Sequence, residues 1–337
     1  MNRRAKLFFS LLLLGVAISG ALLWRGKQSP PRARAFEFHY QTRIPAVPAS
    51  AKQLRLWIPV PESDRQQEIS SLSIESPVPY QLHRDPEYGN RYAYLELVPH
   101  AGSLPLEVRM NFQVERREHR VAPEPPAAWA RETKPAELAR FLQPDHLVPT
   151  DGVIAALAGQ ETRGRERPLD KARAIYSYVV STMRYDKSGE GWGRGDAIYA
   201  CNARKGNCTD FHALFIGMMR VAGIPARFEI GFPLPPDRKA GEIPGYHCWA
   251  QFYLDGVGWV PVDASEAWKN PALRDYFFGA HDEHRVLFSR GRDIRFNPPQ
   301  QGEPLNYFIY PYAELDGKPF SGIEYKFFFR DRESNVR

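Results

Sequence analysis

The sequence predicts an α+β fold, in which a small, sandwich-like all-β domain precedes helices packed on an antiparallel sheet. Apolar and polar side chains alternate with a period of two over residues 36–120. After residue 135 the apolar period changes to that of helices, and three further strand patterns follow the strongest of them. The 30 prolines favour many turns over a helical bundle.

The composition is that of a globular protein. The chain has 337 residues, of which 43% are hydrophobic and 25% charged, and this length has room for about two ordinary domains. The net charge of +6 is spread along the chain without a lysine-rich block. We therefore expect no nucleic-acid partner.

The N-terminus has the pattern of a targeting signal. Basic residues within the first six positions precede an apolar run over residues 7–24. Small residues at 19–21 would allow cleavage of a signal peptide, whereas the apolar run beyond them favours an uncleaved signal anchor. We expect residues 1–24 to direct the chain to the periplasm or cell surface, with residues 7–24 anchoring it in the inner membrane.

Composition also predicts the domain boundaries. Residues 25–35 are rich in proline and arginine and form a predicted linker before the all-β domain at 36–120. A second proline-rich linker covers 121–134. The remaining segment, 135–337, contains the helices and ends in aromatic strand patterns, which either extend this domain or pack back on the first.

Four helices are predicted from apolar periodicity. Those over 135–142, 153–157 and 168–183 precede a glycine-rich loop at 188–196. The fourth, over 208–221, has a regular i, i+3, i+4, i+7 apolar stripe, so we expect it to be buried. Asn207 is suited to cap it, with Asp210 three residues later completing a capping box.

Three strands follow this helix, at 226–232, 246–254 and 258–263. The residues between the last two strands predict a hairpin. Alternation places His247 on one face of its strand and Cys248 on the other. In a hairpin of this length, two residues that face each other across the strands have numbers that sum to about 513. His247 and Asp263 are then diagonal neighbours, or separated by a bulge, and close enough for a hydrogen bond.

Cys208, His247 and Asp263 have the residue types of a thiol catalytic triad. A cysteine nucleophile reacts as its thiolate, which the positive end of a helix stabilises, and Cys208 stands in the first turn of the predicted helix. A histidine accepts and returns the proton, and a carboxylate orients the imidazole and stabilises its charged form. The backbone N–H of Cys208 is also available to an oxyanion.

The motifs that carry these residues resemble those of the transglutaminase-like superfamily, in particular its exported bacterial members. They are GNCTDFH at 206–212, AGIPAR at 222–227, YHCWA at 246–250 and GWVPVD at 258–263. The resemblance implies a papain-like fold with a catalytic triad of Cys208, His247 and Asp263. It also implies an activity among protein cross-linking acyl transfer, peptide hydrolysis and amide hydrolysis.

In this family a side chain upstream of the cysteine usually supplies the second oxyanion donor. Tyr185 resembles that position, and a packed aromatic residue at a helix end is the alternative interpretation. Trp192 is a weaker candidate.

Three cysteines in an exported chain suggest one disulfide and one free thiol. Because Cys248 is predicted to face away from His247, we hypothesise a Cys201–Cys248 disulfide that leaves Cys208 free. Two free buried thiols are the alternative.

A zinc site made from Cys201, Cys208, His212 and His247 lacks the close cysteine pair that is typical of such sites. We therefore expect no metal, and no motif predicts another cofactor.

Two classes of function remain. The first is a thiol enzyme that forms an acyl-enzyme at Cys208 on a peptide, glutamine or isopeptide amide, and passes the acyl group to water or to an amine. The second is a non-enzymatic scaffold that binds partners at the cell envelope. The intact triad favours the enzyme, with a peptide or protein as substrate.

Overall fold

The computed structural model describes residues 30–99, 104–122 and 135–333 of the 337-residue chain. The predicted signal segment at 1–24 and most of the linker at 121–134 lie outside these ranges. A search of the described ranges for a helix with the length and apolarity needed to cross a membrane finds none.

The secondary structure is dominated by strands. They are β1 (Ala33–Ile44), β2 (Leu54–Pro59), β3 (Gln67–Glu75), β4 (Gln81–Arg84), β5 (Arg91–Leu97), β6 (Leu106–Arg117), β7 (His119–Arg120), β8 (Arg184–Tyr185), β9 (Lys205–Gly206), β10 (Ala226–Pro233), β11 (Ala240–Glu242), β12 (His247–Leu254), β13 (Gly258–Val262), β14 (Ala280–His281), β15 (Arg285–Arg290), β16 (Tyr312–Leu315), β17 (Lys318–Phe320) and β18 (Glu324–Asp331). The helices are α1 (Pro135–Ala139), α2 (Gly152–Glu161), α3 (Pro168–Thr182), α4 (Ala197–Ala203), α5 (Cys208–Val221) and α6 (Ala264–Lys269), with 3-10 turns at Arg140–Leu142 and Pro271–Leu273.

The N-terminal strands belong to two five-stranded sheets, with the orders β11-β18-β1-β6-β3 and β17-β16-β2-β5-β4. Along β1 every second side chain is buried, including Phe36, Phe38 and Tyr40. This alternation is what a strand needs in order to cover a core with one face. β1 begins at Ala33, inside the segment that was predicted to be a linker.

The C-terminal strands complete both of these sheets. β18 pairs antiparallel with β1, from Phe36 opposite Asp331 to Arg43 opposite Glu324, and β16 pairs with β2. Of the two places predicted for the tail, it therefore takes the one against the N-terminal strands. The β module is built from both ends of the described chain.

The helices pack on a separate four-stranded sheet with the order β13-β12-β10-β15. In α5 every residue from Cys208 to Arg220 is buried, as the apolar stripe predicted. The α+β class, with helices on an antiparallel sheet, is confirmed. α4 and α6 were not predicted, and Asp263 does not end a strand but caps the N-terminus of α6.

Candidate active site

The N-terminus of α5 places Cys208 at the site. Asn207 caps the helix by accepting the N–H of Thr209 at 2.9 Å, and Asp210 accepts the N–H of Asn207 at 2.9 Å. This is the predicted capping box. Cys208 occupies the first turn with 2% of its surface exposed. Its sulfur and its backbone N–H therefore lie at the positive end of a buried helix.

Asp210 also holds the glycine-rich loop against this helix end. Its carboxylate accepts the N–H of Gly193 at 2.7 Å and that of Gly195 at 3.0 Å. Gly206 lies so close that a Cβ there would be 2.2 Å from Asp210 Oδ2, and its φ is +151°. The capping role was predicted from the sequence, whereas the contact with a loop 15 to 17 residues earlier was not.

His247 and Asp263 form a direct hydrogen bond, with 2.7 Å between Nε2 and Oδ2. Burial alone would lower the pKa of His247, but the charge and hydrogen bond of Asp263 outweigh it and raise the pKa to about 10. The β12–β13 hairpin pairs residues whose numbers sum to 512, as in Ala250 opposite Val262. The diagonal arrangement inferred from the hairpin length is therefore present.

Cys208 and His247 act on each other electrostatically. Burial raises the pKa of the Cys208 thiol, but hydrogen bonds from Cys248 and His247 and the positive charge of His247 bring it well below its usual value. Because Nε2 of His247 is hydrogen-bonded to Asp263, Nδ1 is the ring nitrogen that remains available to the sulfur of Cys208. The site favours a thiolate beside an imidazolium.

Asp263 is held by four donors. Oδ1 accepts the N–H of Glu266 at 3.0 Å and the hydroxyl of Ser265 at 3.1 Å. Oδ2 accepts from His247 and from Arg285 Nη1, the latter at 3.0 Å. Burial opposes ionisation, but the neighbouring positive charges and hydrogen bonds hold the pKa of Asp263 well below its usual range. The carboxylate is therefore fixed in both position and charge.

Arg285 is the main site residue that the sequence did not reveal. It is 2% exposed, donates from Nη2 to Asp282 Oδ2 at 2.7 Å, and stacks on Trp249 with 4.8 Å between its Cζ and the ring centroid. Arg285 therefore connects Asp263 to β15, the strand on which the arginine lies. Because Arg285 lies 22 residues after Asp263, no local pattern marks the contact.

His212 has a structural place beside the triad. Its Nδ1 donates to the carbonyl of Cys208 at 2.8 Å, and its Nε2 accepts the N–H of Ala264 at 3.1 Å. A backbone N–H can only donate, so these contacts define a neutral ring with its proton on Nδ1. The described residues contain no group of three or more His, Cys, Asp or Glu placed to share a metal ion.

The predicted Cys201–Cys248 disulfide is wrong, because all three cysteines are free. Alternation assigned Cys248 correctly to the face of β12 opposite His247, but that face lies under α5. Cys248 Sγ is 3.7 Å from His212 Nδ1, the atom that donates to the carbonyl of Cys208 at 2.8 Å. Cys248 is therefore part of the site instead of pointing away from it.

Several aromatic residues lie around the N-terminus of α5. Tyr185, the predicted second oxyanion donor, has its pKa raised by burial and then by the charge of Cys208, which places it in the field of the thiolate. The ammonium of Lys269 lies 4.1 Å from its ring centroid. Trp192 directs its indole N–H to the carbonyl of Gly189 at 3.1 Å. The hydroxyl of Tyr246 accepts from Asn207 Nδ2, the helix cap, at 3.1 Å.

Comparison with known proteins identifies the domain that carries the site. Residues 155–264, which include Cys208, His247 and Asp263, match the model of the transglutaminase-like superfamily. The match identifies residues 155–264 as a transglutaminase-like domain.

An uncharacterized protein of Haemophilus influenzae is 28% identical over 338 residues, covering 89% of this chain and 90% of its own length. The uncharacterized protein YebA of Bacillus subtilis is 26% identical over 148 residues, which cover 40% of this chain and 20% of YebA. Among solved structures, a proposed cysteine protease from Cytophaga hutchinsonii shares the fold. Its TM-score is 0.60 at 17% identity, over 91% of this chain and 93% of that one.

The electrostatics of the site predict a reactive Cys208 in acid solution. At pH 6 an ordinary thiol, with a pKa of about 8.5, is less than about 1% thiolate. Lowering the pKa also weakens each thiolate as a nucleophile, so we expect iodoacetamide to label Cys208 on the order of tenfold faster than an ordinary thiol. Cys201 is the internal reference, because burial raises its pKa. Mass spectrometry of the labelled peptides measures both rates, and equal rates would contradict the ion pair.

Proposed function

We propose that the chain is a cysteine-dependent enzyme that forms an acyl-enzyme at Cys208 on peptide, glutamine or isopeptide amides. The observation that carries this proposal is the 2.7 Å hydrogen bond from His247 to Asp263, together with the effect of the His247 charge on Cys208 at the N-terminus of α5. A nucleophile, a proton carrier and an orienting carboxylate are the groups that acyl transfer requires.

In the first half-reaction the Cys208 thiolate attacks the amide carbon. The developing oxyanion lies near the backbone N–H of Cys208, and the hydroxyl of Tyr185 is the proposed second donor. The His247 imidazolium gives its proton to the departing amine, so the leaving group is neutral when the C–N bond breaks. A thioester on Cys208 and a neutral His247 remain.

In the second half-reaction His247 takes a proton from the acceptor, which attacks the thioester. Asp263 stabilises the imidazolium that forms again, because its carboxylate stays ionised and bound to Nε2 throughout. Water as acceptor gives hydrolysis and a primary amine gives cross-linking. Hydrolysis is the simpler outcome, since water needs no binding site of its own.

The test is to trap the acyl-enzyme. The full chain is incubated with peptides that contain glutamine and internal amides, quenched in acid, and weighed intact by mass spectrometry. We expect an acyl adduct on the wild-type chain and on Cys201→Ala, and none on Cys208→Ala. Repeating the reaction with a primary amine distinguishes cross-linking, which gives an amide of that amine, from hydrolysis.

The scaffold hypothesis makes the opposite prediction. A non-enzymatic module would give no adduct with any peptide, and its Cys208 would react with iodoacetamide no faster than Cys201. That combination would overturn the proposed function.

We further propose that this chemistry takes place outside the cytoplasm, with a peptide or protein as substrate. The support is the basic and apolar pattern of residues 1–24. Fractionation of cells that express the full chain tests this, and recovery in the cytosolic fraction would contradict it.

A further inference from the structure

Two thiols share the interior of the site. Cys208 is 2% exposed and Cys248 is 0% exposed. Cys248 directly follows His247 on β12, and its Sγ lies 3.7 Å from His212 Nδ1, which donates to the carbonyl of Cys208 at 2.8 Å. A second thiol therefore lies beside the residue that carries the nucleophile, and acyl transfer does not need it as a reactant.

The two sulfurs differ in charge. Burial raises the pKa of Cys248, and the hydrogen bond to Cys208 and its negative charge raise it further. In the reduced enzyme Cys208 is the thiolate and Cys248 is the protonated donor. An oxidant that reacts with thiolates meets Cys208 first.

We propose that Cys248 is a resolving thiol, which forms a reversible disulfide with Cys208 when the enzyme meets hydrogen peroxide. The inference rests on the proposed function, because it needs the Cys208 thiolate. It adds to that function an inactive state, in which the sulfur of Cys208 is held in a disulfide that reduction can reverse.

The oxidation balances in two steps. The Cys208 thiolate attacks one oxygen of the peroxide, the O–O bond breaks, and the hydroxide that leaves takes the proton of the His247 imidazolium and becomes water. Cys208 is then a sulfenic acid. Cys248 attacks its sulfur, the S–O bond breaks, and the departing hydroxide leaves as water with the proton of Cys248. The peroxide accepts two electrons, one from each sulfur.

His212 does not take part as a base, because its Nδ1, the ring atom near Cys248, carries a proton that it donates to the carbonyl of Cys208. The proton of Cys248 therefore goes to the leaving hydroxide. Without Cys248 the sulfenic acid would be open to a second peroxide, which converts it irreversibly to sulfinic acid.

Trypsin separates the three cysteines for the test. Cys201 falls in the peptide 195–204, Cys208 in 206–220 and Cys248 in 240–269. The reduced full chain is treated with hydrogen peroxide, its remaining thiols are blocked with N-ethylmaleimide, and the digest is analysed by mass spectrometry. We expect 206–220 joined to 240–269 by a disulfide, and dithiothreitol to restore the iodoacetamide reactivity of Cys208.

Two variants sharpen the result. In Cys248→Ala we expect Cys208 to become sulfinic or sulfonic acid, with no recovery in dithiothreitol. Cys201→Ala is the matched control and should give the same linked peptides as the wild type.

A wild-type digest in which Cys208 is sulfinic acid without the link, or is joined to Cys201, would overturn the inference, and this result does not depend on how well any variant folds. The readout uses no substrate. A chain that forms the link with peroxide but gives no acyl adduct when it is reduced would therefore contradict the proposed function alone, and an acyl adduct from a chain that never forms the link would contradict only the inference.

Discussion

Replacing Asp263 with asparagine is expected to lower the kcat of the proposed reaction by about 10³–10⁴-fold, with the fold retained. Asparagine has the same shape and also caps helices, so it can still accept the N–H of Glu266 at the start of α6. What it removes is the negative charge beside His247. Arg285 keeps its second carboxylate partner, Asp282.

The pH dependence gives the physical reason for this loss. In the wild type the pKa of His247 is raised to about 10, so the imidazolium is present below that pH and is lost as the pH rises through it. In Asp263→Asn burial is no longer outweighed by the carboxylate, and the pKa of His247 falls. The ion pair with Cys208 then weakens already near neutral pH, and labelling of Cys208 by iodoacetamide at pH 6 slows together with turnover.

Asp282→Asn is the matched control. It removes one carboxylate from Arg285 without touching His247, so we expect a much smaller loss of kcat and little change in the labelling of Cys208. Equal losses in the two variants would mean that the arginine, and not the charge of Asp263, sets the reactivity. The measurements are the kcat on an accepted peptide and the labelling rate between pH 5 and 10.

Local patterns were sufficient to place the nucleophile. The apolar stripe, the Asn207 cap and Asp210 located α5 and put Cys208 in its first turn, because helix periodicity and capping depend on residues three or four apart. The hairpin length then brought His247 near Asp263. These are short-range signals, and the structure preserves each of them.

The errors concern contacts between distant segments. Strand alternation identified the face on which Cys248 lies, but it does not say which face a helix will cover, and so the thiol was assigned to the wrong partner. Arg285 reaches Asp263 from a different strand, and β18 pairs with a strand almost 300 residues earlier. α4 was missed because it is seven residues long and exposes Ile198, which leaves little periodic signal.

Gly231→Ala is expected to cause the largest loss of stability. Gly231 lies in β10 between two partners, opposite His247 on β12 and Leu287 on β15. A Cβ on this residue would lie 1.8 Å from the carbonyl oxygen of Val286 and 3.0 Å from the Cα of Leu287. Both neighbours are backbone atoms, so no side-chain rotation relieves the overlap. β10 and β15 must separate, at a cost of about 3 kcal/mol or more.

Gly159→Ala provides the matched control. Gly159 lies in α2 with open space around its Cβ position and without a positive φ, so alanine should stabilise the protein by about 0.5–1 kcal/mol. Urea unfolding followed by circular dichroism compares the two variants. Since Gly231 pairs with His247, we also expect the Gly231→Ala chains that remain folded to lose the fast labelling of Cys208. Unchanged stability and labelling would show that β10 tolerates a wider spacing, and that the triad does not depend on the close approach of β15.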